Sequence, residues 1–415
     1  MSLFTPASER YAARIDFVVD IAARLHAYGT TAQRLEGALL AVAHKLRLEC
    51  EVWSNPTGMV LSFKDPARPP GDSDITRVIR LAPGQTDLYK LSEADRIAGE
   101  VMAGQLDLAG GQAALQVLDR QPSRRWRAMQ VFAFGLIAAA VAGLLRLPWL
   151  DIGTAGAAGL CIGALDQLST HRPRLKEASD ALAAMLAGLI AITVAAFIAP
   201  LNLNTVIIAA LIVLLPGLGL TNAVNELSSQ HLVSGTARFA GALTTILKLT
   251  IGTMIALTVA QLLGIEPAVR NLRPQPMWVE GVALVLASYA FAVLFRAHRR
   301  DYPIVMLAAA AGYVISRFAG QAWGSAVGVF LGALALTVAG NAFARWLNRP
   351  GAIIRVPGII MLVPGSTSLR GLITLMQQQD FGAGQEALMT ALNILLALIA
   401  GSLFGNLLVP ARRNL

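Results

Sequence analysis

The sequence predicts a polytopic α-helical membrane protein, with about ten transmembrane helices as a five-plus-five inverted repeat, preceded by a small soluble α+β domain. Three observations predict it. Of 415 residues, 55% are hydrophobic and 14% charged, with a mean hydropathy of +0.58, too apolar for a soluble globular chain. The apolar residues are unevenly placed: Met1 to Ser123 has ordinary charge and no long apolar run, whereas nearly everything after Ala128 falls into blocks of about 20 residues, long enough to cross a bilayer. Finally, an apolar span broken by Pro216-Gly217 (LLPGLGLTNAVNE, Leu214 to Glu226) has a second copy broken by Pro364-Gly365 (LVPGSTSLRGLIT, Leu362 to Thr374).

Charge placement limits the partners. Residues 1–123 hold 13 Lys+Arg against 15 Asp+Glu, so the net charge of +9 resides wholly in the later part. Basic residues beside apolar spans act as topology anchors. No nucleic-acid partner is expected; the lipid bilayer is. Cys50 and Cys161 are far apart and have no metal or redox spacing, so neither a disulfide framework nor a metal site is expected. The N-terminus has no basic stretch followed by an apolar core, and no cleaved signal is expected.

From Tyr11 to Leu48 the pattern predicts two amphipathic helices, with Gly29 ending the first and Thr30 or Thr31 capping the second. Strand character follows at Glu49–Ser54, Gly58–Phe63 and Asp74–Leu81, with a turn at Asn55-Pro56-Thr57-Gly58. Helical periodicity returns from Ser92 to Leu118. His26 and His44 lack a second ligand at metal spacing and are expected to be structural, and no nucleotide-binding or hydrolase motif is present. Arg124-Arg125-Trp126-Arg127 forms a basic aromatic anchor at the join.

The expected spans are Ala128–Leu145, Ile152–Leu168, Ala181–Ala199, Thr205–Leu227, Ala240–Leu263, Met277–Phe295, Pro303–Phe318, Ser325–Phe343, Ile353–Met376 and Ala387–Val409. Counting basic residues in the loops puts 15 on the side of the N-terminal domain and four on the other, which places both termini in the cytoplasm. AGLIAITVAA from Ala187 resembles LGALALTVAG from Leu331, and with the paired Pro-Gly breaks it indicates two five-span halves, 124–270 and 271–415, after a domain at 1–123. Because five is odd, the second half enters from the opposite face, giving an inverted repeat.

HAYGTTAQRLEGALLAVAHKL (His26 to Leu46), SNPTGMVLSF (Ser54 to Phe63), TRVIRL (Thr76 to Leu81) and the motifs PGLGLTNAVNEL and VPGSTSLRGL together resemble the threonine/serine exporter family over essentially the whole chain. The resemblance implies a cytoplasmic domain, ten spans and efflux of small hydroxy amino acids driven by the proton motive force, in a bacterial inner membrane. A similar protein split into two chains is linked to succinate export, so a dicarboxylate substrate stays open. So do a passive channel and a membrane-embedded enzyme, although no catalytic constellation is recognisable in the spans and no cofactor is implied.

The candidate site residues follow from the breaks. A helix restarting after Pro216-Gly217 or Pro364-Gly365 presents free backbone donors and the positive end of its dipole, suited to a substrate carboxylate. Thr221 and Asn222 in one copy, and Ser366, Thr367 and Ser368 in the other, could cap those starts or bind the polar part of a substrate. The alternative is a proline kink with small residues for close helix packing. Arg370 could face a substrate carboxylate or an internal partner such as Asp166 or Glu226. Asp166, Glu226 and Lys248 are the candidates for proton coupling, against an interfacial placement of the two acids and a snorkelling Lys248. A homo-oligomer is compatible with all of this.

Overall fold

A computed structural model of the chain describes residues 6–67, 75–270, 274–362, 369 and 381–410. Helices α1 (Pro6–Ala27) and α2 (Ala32–Lys45) are joined at Gly29, whose φ of +82° favours glycine. A side chain there would also meet the backbone of Gln85 and Thr86. Strands β1 (Glu49–Asn55), β2 (Gly58–Lys64) and β3 (Ile75–Arg80) form an antiparallel sheet in that order, with Phe63 opposite Cys50 on one side and Ile75 on the other. The turn between β1 and β2 is held by Asn55 Oδ1, which accepts from the Thr57 amide at 3.0 Å. Met59, Leu61 and Phe63 alternate inward from β2 and share a core with Phe17 and Ile21 of α1 and Leu35 and Leu39 of α2.

The expected helical stretch at 92–118 is two helices, α3 (Leu88–Met102) and α4 (Leu108–Val117). Asp87 caps α3 through the Lys90 amide and Asp107 caps α4 through the Gly110 amide, while Gly104 turns the chain between them at φ +73°.

The rest of the described chain is helical: α5 (Arg124–Leu144), α6 (Trp149–Ser169), α7 (Pro173–Phe197), α8 (Leu203–Ala210), α9 (Gly217–Ser228), α10 (Leu232–Leu262), α11 (Met277–Leu294), α12 (Tyr302–Trp323), α13 (Ser325–Leu347), α14 (Ala352–Ile360) and α15 (Phe381–Leu408). Among the described residues seven of these, α5, α7, α10, α11, α12, α13 and α15, are long and apolar enough to cross a membrane. This is a multi-helix membrane protein. Small residues set the packing: a Cβ at Gly252 of α10 would collide with the Ala181 carbonyl of α7, so the two backbones touch.

The ends of the bundle are distinct. At one end the N-terminal region docks: the Leu88 and Tyr89 amides donate to the carbonyls of Phe295 and Arg296 (2.9 and 3.1 Å), and Arg296 pairs with Asp87 at 3.3 Å. At the other, the Gln275 amide donates to the Arg146 carbonyl (2.8 Å) and the Leu201 amide to that of Ala268 (3.1 Å). A buried carboxylate holds the chain just before α8 and just before α14. Asp151 of α6 accepts from the Asn202 side chain at 2.6 Å, and Asp301 takes a bidentate Arg349 at 2.8 and 2.5 Å.

Candidate functional site

The site is built on a helix that stops and restarts. α8 ends at Ala210, α9 begins at Gly217, and the intervening turn is closed by the Leu214 amide on the Leu211 carbonyl (2.9 Å) and the Gly217 amide on that of Leu215 (2.7 Å). Pro216 has no amide hydrogen to continue a helix. Its carbonyl accepts from Leu220 at 2.9 Å, which sets α9 going again. The Pro216-Gly217 step is therefore a full interruption rather than a kink.

Leu218, Thr221, Asn222 and Asn225 fall on one face of α9 and line a cavity of about 1520 Å³ between the N-terminal region and the bundle. Pro216 and Gly217 are not on its wall; Gly217 is buried in the break. Thr221 is 6% exposed, with its hydroxyl donating to the Gly217 carbonyl at 3.1 Å. Asn222 keeps partial exposure, and its amide makes no hydrogen bond among the described residues.

Opposite α9 the wall is made by α13 and α15. Thr337 and Asn341, one turn apart on α13, are each 1% exposed. Asn341 Nδ2 donates to Asn406 Oδ1 (2.8 Å) and to the Val409 carbonyl (2.7 Å), whereas Thr337 Oγ1 has no hydrogen-bond partner among the described residues. A buried hydroxyl without a partner is unfavourable by about 1–3 kcal/mol and is the kind of group a polar solute can satisfy. Sequence reasoning missed this wall. The signal was present: Asn341 is an amide inside an apolar run, immediately after the LGALALTVAG segment.

The N-terminal wall carries charge. Arg34 of α2 and Asp95 of α3 both line the cavity. Burial pushes the Asp95 carboxyl up to about 7, whereas Arg34 is exposed on the wall.

Glu226 lies one turn beyond Asn222 and is 1% exposed. It accepts from the Ala32 amide of α2 (2.9 Å), from Ser234 Oγ (2.8 Å) and from Arg238 through Nε and an Nη (both 3.1 Å). A carboxylate in this setting satisfies a helix amide that has no intrahelical acceptor. Glu36 of α2 extends the seam, accepting from the Ser54 amide (2.9 Å) and lying 3.1 Å from His231 Nε2. His26 ties α1 to the Asn55 carbonyl at 3.2 Å, a structural contact, whereas His44 faces the cavity.

The other proton-coupling candidates sit elsewhere. Asp166 pairs with Lys176 at 3.0 Å, and Lys248 donates to the Glu177 carbonyl at 3.0 Å with Asp180 at 3.9 Å; none of these is on the cavity wall. The structure thus brings Thr221, Asn222 and Glu226 together on α9 and leaves Asp166 and Lys248 apart. Pro364, Gly365, Ser366, Thr367, Ser368 and Arg370 lie outside the described residues. No cluster of metal-ligating side chains occurs among the described residues.

Comparison with known proteins agrees with this architecture. The ThrE threonine/serine exporter family model matches residues 16–260 and a second threonine/serine exporter model matches 280–408. The chain is 24% identical to pheromone-regulated membrane protein 10 of Pichia sorbitophila, over 88% of the chain and 37% of that protein. It is 23% identical to the Saccharomyces cerevisiae protein of the same name, over 88% of the chain and 48% of the relative. An uncharacterised Schizosaccharomyces pombe protein is 22% identical, over 87% and 44%. The chain therefore spans less than half the length of these relatives. No solved structure matches it. With both halves of the chain matched in order, the protein belongs to the threonine/serine exporter family.

Proposed function

We propose that the chain is a secondary exporter of small hydroxy amino acids, threonine or serine, driven by the proton motive force, and that the cavity beside α9 is its substrate vestibule. One observation carries this reading: the helix break places Thr221 and Asn222 on a cavity wall opposite the unpartnered hydroxyl of Thr337. Broken helices whose polar ends face a cavity are how transporters bind polar solutes inside a bilayer. Hydroxyl and amide groups there match a solute bearing a hydroxyl, an ammonium and a carboxylate.

In this reading ten spans form two inverted halves, 124–270 and 271–415, after a cytoplasmic domain at 1–123, in a bacterial inner membrane with both termini inside. Equivalent packing supports the repeat. A Cβ at Gly401 of α15 would collide with the Phe330 carbonyl of α13, as one at Gly252 would with Ala181, and a single shift in residue number relates the two pairs. The same shift carries the Gly188–Ala256 contact onto Thr337–Gly405. It differs from the shift relating Ala187 to Leu331, so that likeness reflects Ala-rich composition. α11 starts at the end where α5 stops, as inversion requires. Of the three proton-coupling candidates, Glu226 is the one on the site helix, and carrying a proton would require it to leave Arg238.

The test loads the purified chain into liposomes with radiolabelled threonine, or separately succinate, and imposes a pH gradient of either sign. Threonine movement that follows the gradient is expected. Succinate movement alone would change the substrate to a dicarboxylate, movement without concentration would make the protein a channel, and movement of neither would overturn the reading.

A further inference from the structure

The motif that begins at His26 forms more than the docking seam. Its helix, α2, is fixed to the bundle at two points, the Ala32 amide on Glu226 and Glu36 near His231, and between them on the sequence lies Arg34. Arg34 lines the cavity and keeps accessible surface there. No hydrogen bond or ion pair reaches its guanidinium among the described residues, and Glu36, two residues on, is committed to Ser54 and His231. Two other arginines line the cavity, both on the bundle side: Arg349 is engaged by Asp301, and Arg355 stands on α14. Arg34 is exposed on the cavity wall, and a planar donor fork held open towards a cavity suits a carboxylate.

We propose that Arg34 is the carboxylate-capture residue of the vestibule, so that the N-terminal region supplies a cation that holds a substrate's carboxylate at the cavity mouth while α9 and α13 offer neutral hydrogen-bonding groups. The inference rests on the proposed function in one respect, that the solute carries a carboxylate. It assigns the N-terminal region a direct part in binding. The charge stands on α2, outside the apolar spans, where a fixed cation is less costly than in a bilayer.

The experiment measures binding to the purified full-length chain by calorimetry with three probes, L-threonine, L-threonine amide and succinate, for the native protein, Arg34→Lys and Arg34→Gln. Because Arg34 bonds no described side chain, Arg34→Gln is expected to melt at the native temperature without ligand, and Arg34→Lys keeps the charge as a folding control. The expected result is threonine binding about tenfold or more weaker in Arg34→Gln, an intermediate loss in Arg34→Lys, and native binding of the amide as weak as that of threonine to Arg34→Gln. Equal threonine binding by native protein and Arg34→Gln would overturn the inference and leave the exporter reading intact. If the native chain binds succinate and not threonine, and Arg34→Gln loses it, the capture role stands while the hydroxy amino acid substrate falls. If no probe binds the native chain, both fall.

Discussion

The two walls of the cavity differ in how they are polar. On the bundle side, α9 and α13 offer the hydroxyls and amides of Thr221, Asn222, Thr337 and Asn341, with charge from Arg349 and Arg355 beside α14, whereas the N-terminal side offers Arg34 and Asp95. The difference follows from solvent. Helices long and apolar enough to cross a membrane tolerate neutral hydrogen-bonding groups cheaply, and a charge among them needs a partner. Buried carboxylates of the bundle obey that rule, since Asp151, Asp301, Glu226 and Glu280 each meet an arginine. Arg34, on the wall outside the apolar helices, meets no carboxylate among the described residues, and that wall is a place where a ligand's charge can be read.

The largest effect is expected where the walls are joined. Glu226→Ala leaves Arg238 partly buried without its partner and frees the Ala32 amide, and should destabilise the chain by roughly 3–5 kcal/mol, seen as a lower melting temperature of the purified protein. An unchanged melting temperature would mean that the seam does not hold α2 on the bundle.

The next effect tests the neutral groups of α9 and α13. Asn222→Ala should lower transport efficiency about tenfold with little change in melting temperature, because its amide bonds no described residue. Thr337→Val is sharper still. Its hydroxyl has no partner among the described residues to lose, so the folded protein should be unchanged or slightly stabilised while transport falls; a large loss of stability would show that the hydroxyl has a structural partner.

The smallest effect comes from Asp95, and it depends on pH. Its carboxyl is raised from 3.8 to about 7 by burial, so between those values the folded chain holds a proton that the unfolded chain has released. Stability from this group is therefore lost as pH rises through that window. Asp95→Asn should flatten the dependence, melting higher than native above pH 7 and equally below pH 4. Parallel melting curves across the range would contradict this.

Much of this arrangement was legible in the residues. The three strands, the Gly29 turn and the break at Pro216-Gly217 each follow from local chemistry: alternation, a left-handed glycine and a missing amide donor. Span starts were less so. α7 begins at Pro173 and α10 at Leu232, well before the expected Ala181 and Ala240, because apolarity stops at charges whereas a helix runs through them when Lys176 and Arg238 find Asp166 and Glu226. Glu226 looked like an interfacial acid because its main contact, the Ala32 amide, is remote in sequence. Thr337 and Asn341 stand out in the sequence only as polar residues in an apolar run, their meaning depending on which helix they face. The second Pro-Gly copy, with Arg370, lies outside the described residues.

The most direct measurement of the central claim, that a solute occupies the cavity between α9 and the N-terminal region, is ligand protection of a reporter thiol. In the full-length chain with Cys50→Ser and Cys161→Ser, Leu218→Cys, on the same wall of α9, would be labelled with a maleimide in the presence of increasing threonine. The thiol is expected to be labelled, and threonine to slow labelling in a saturable way, with succinate as the comparison. Labelling at one unchanged rate under both solutes, or a thiol that never reacts, would contradict it.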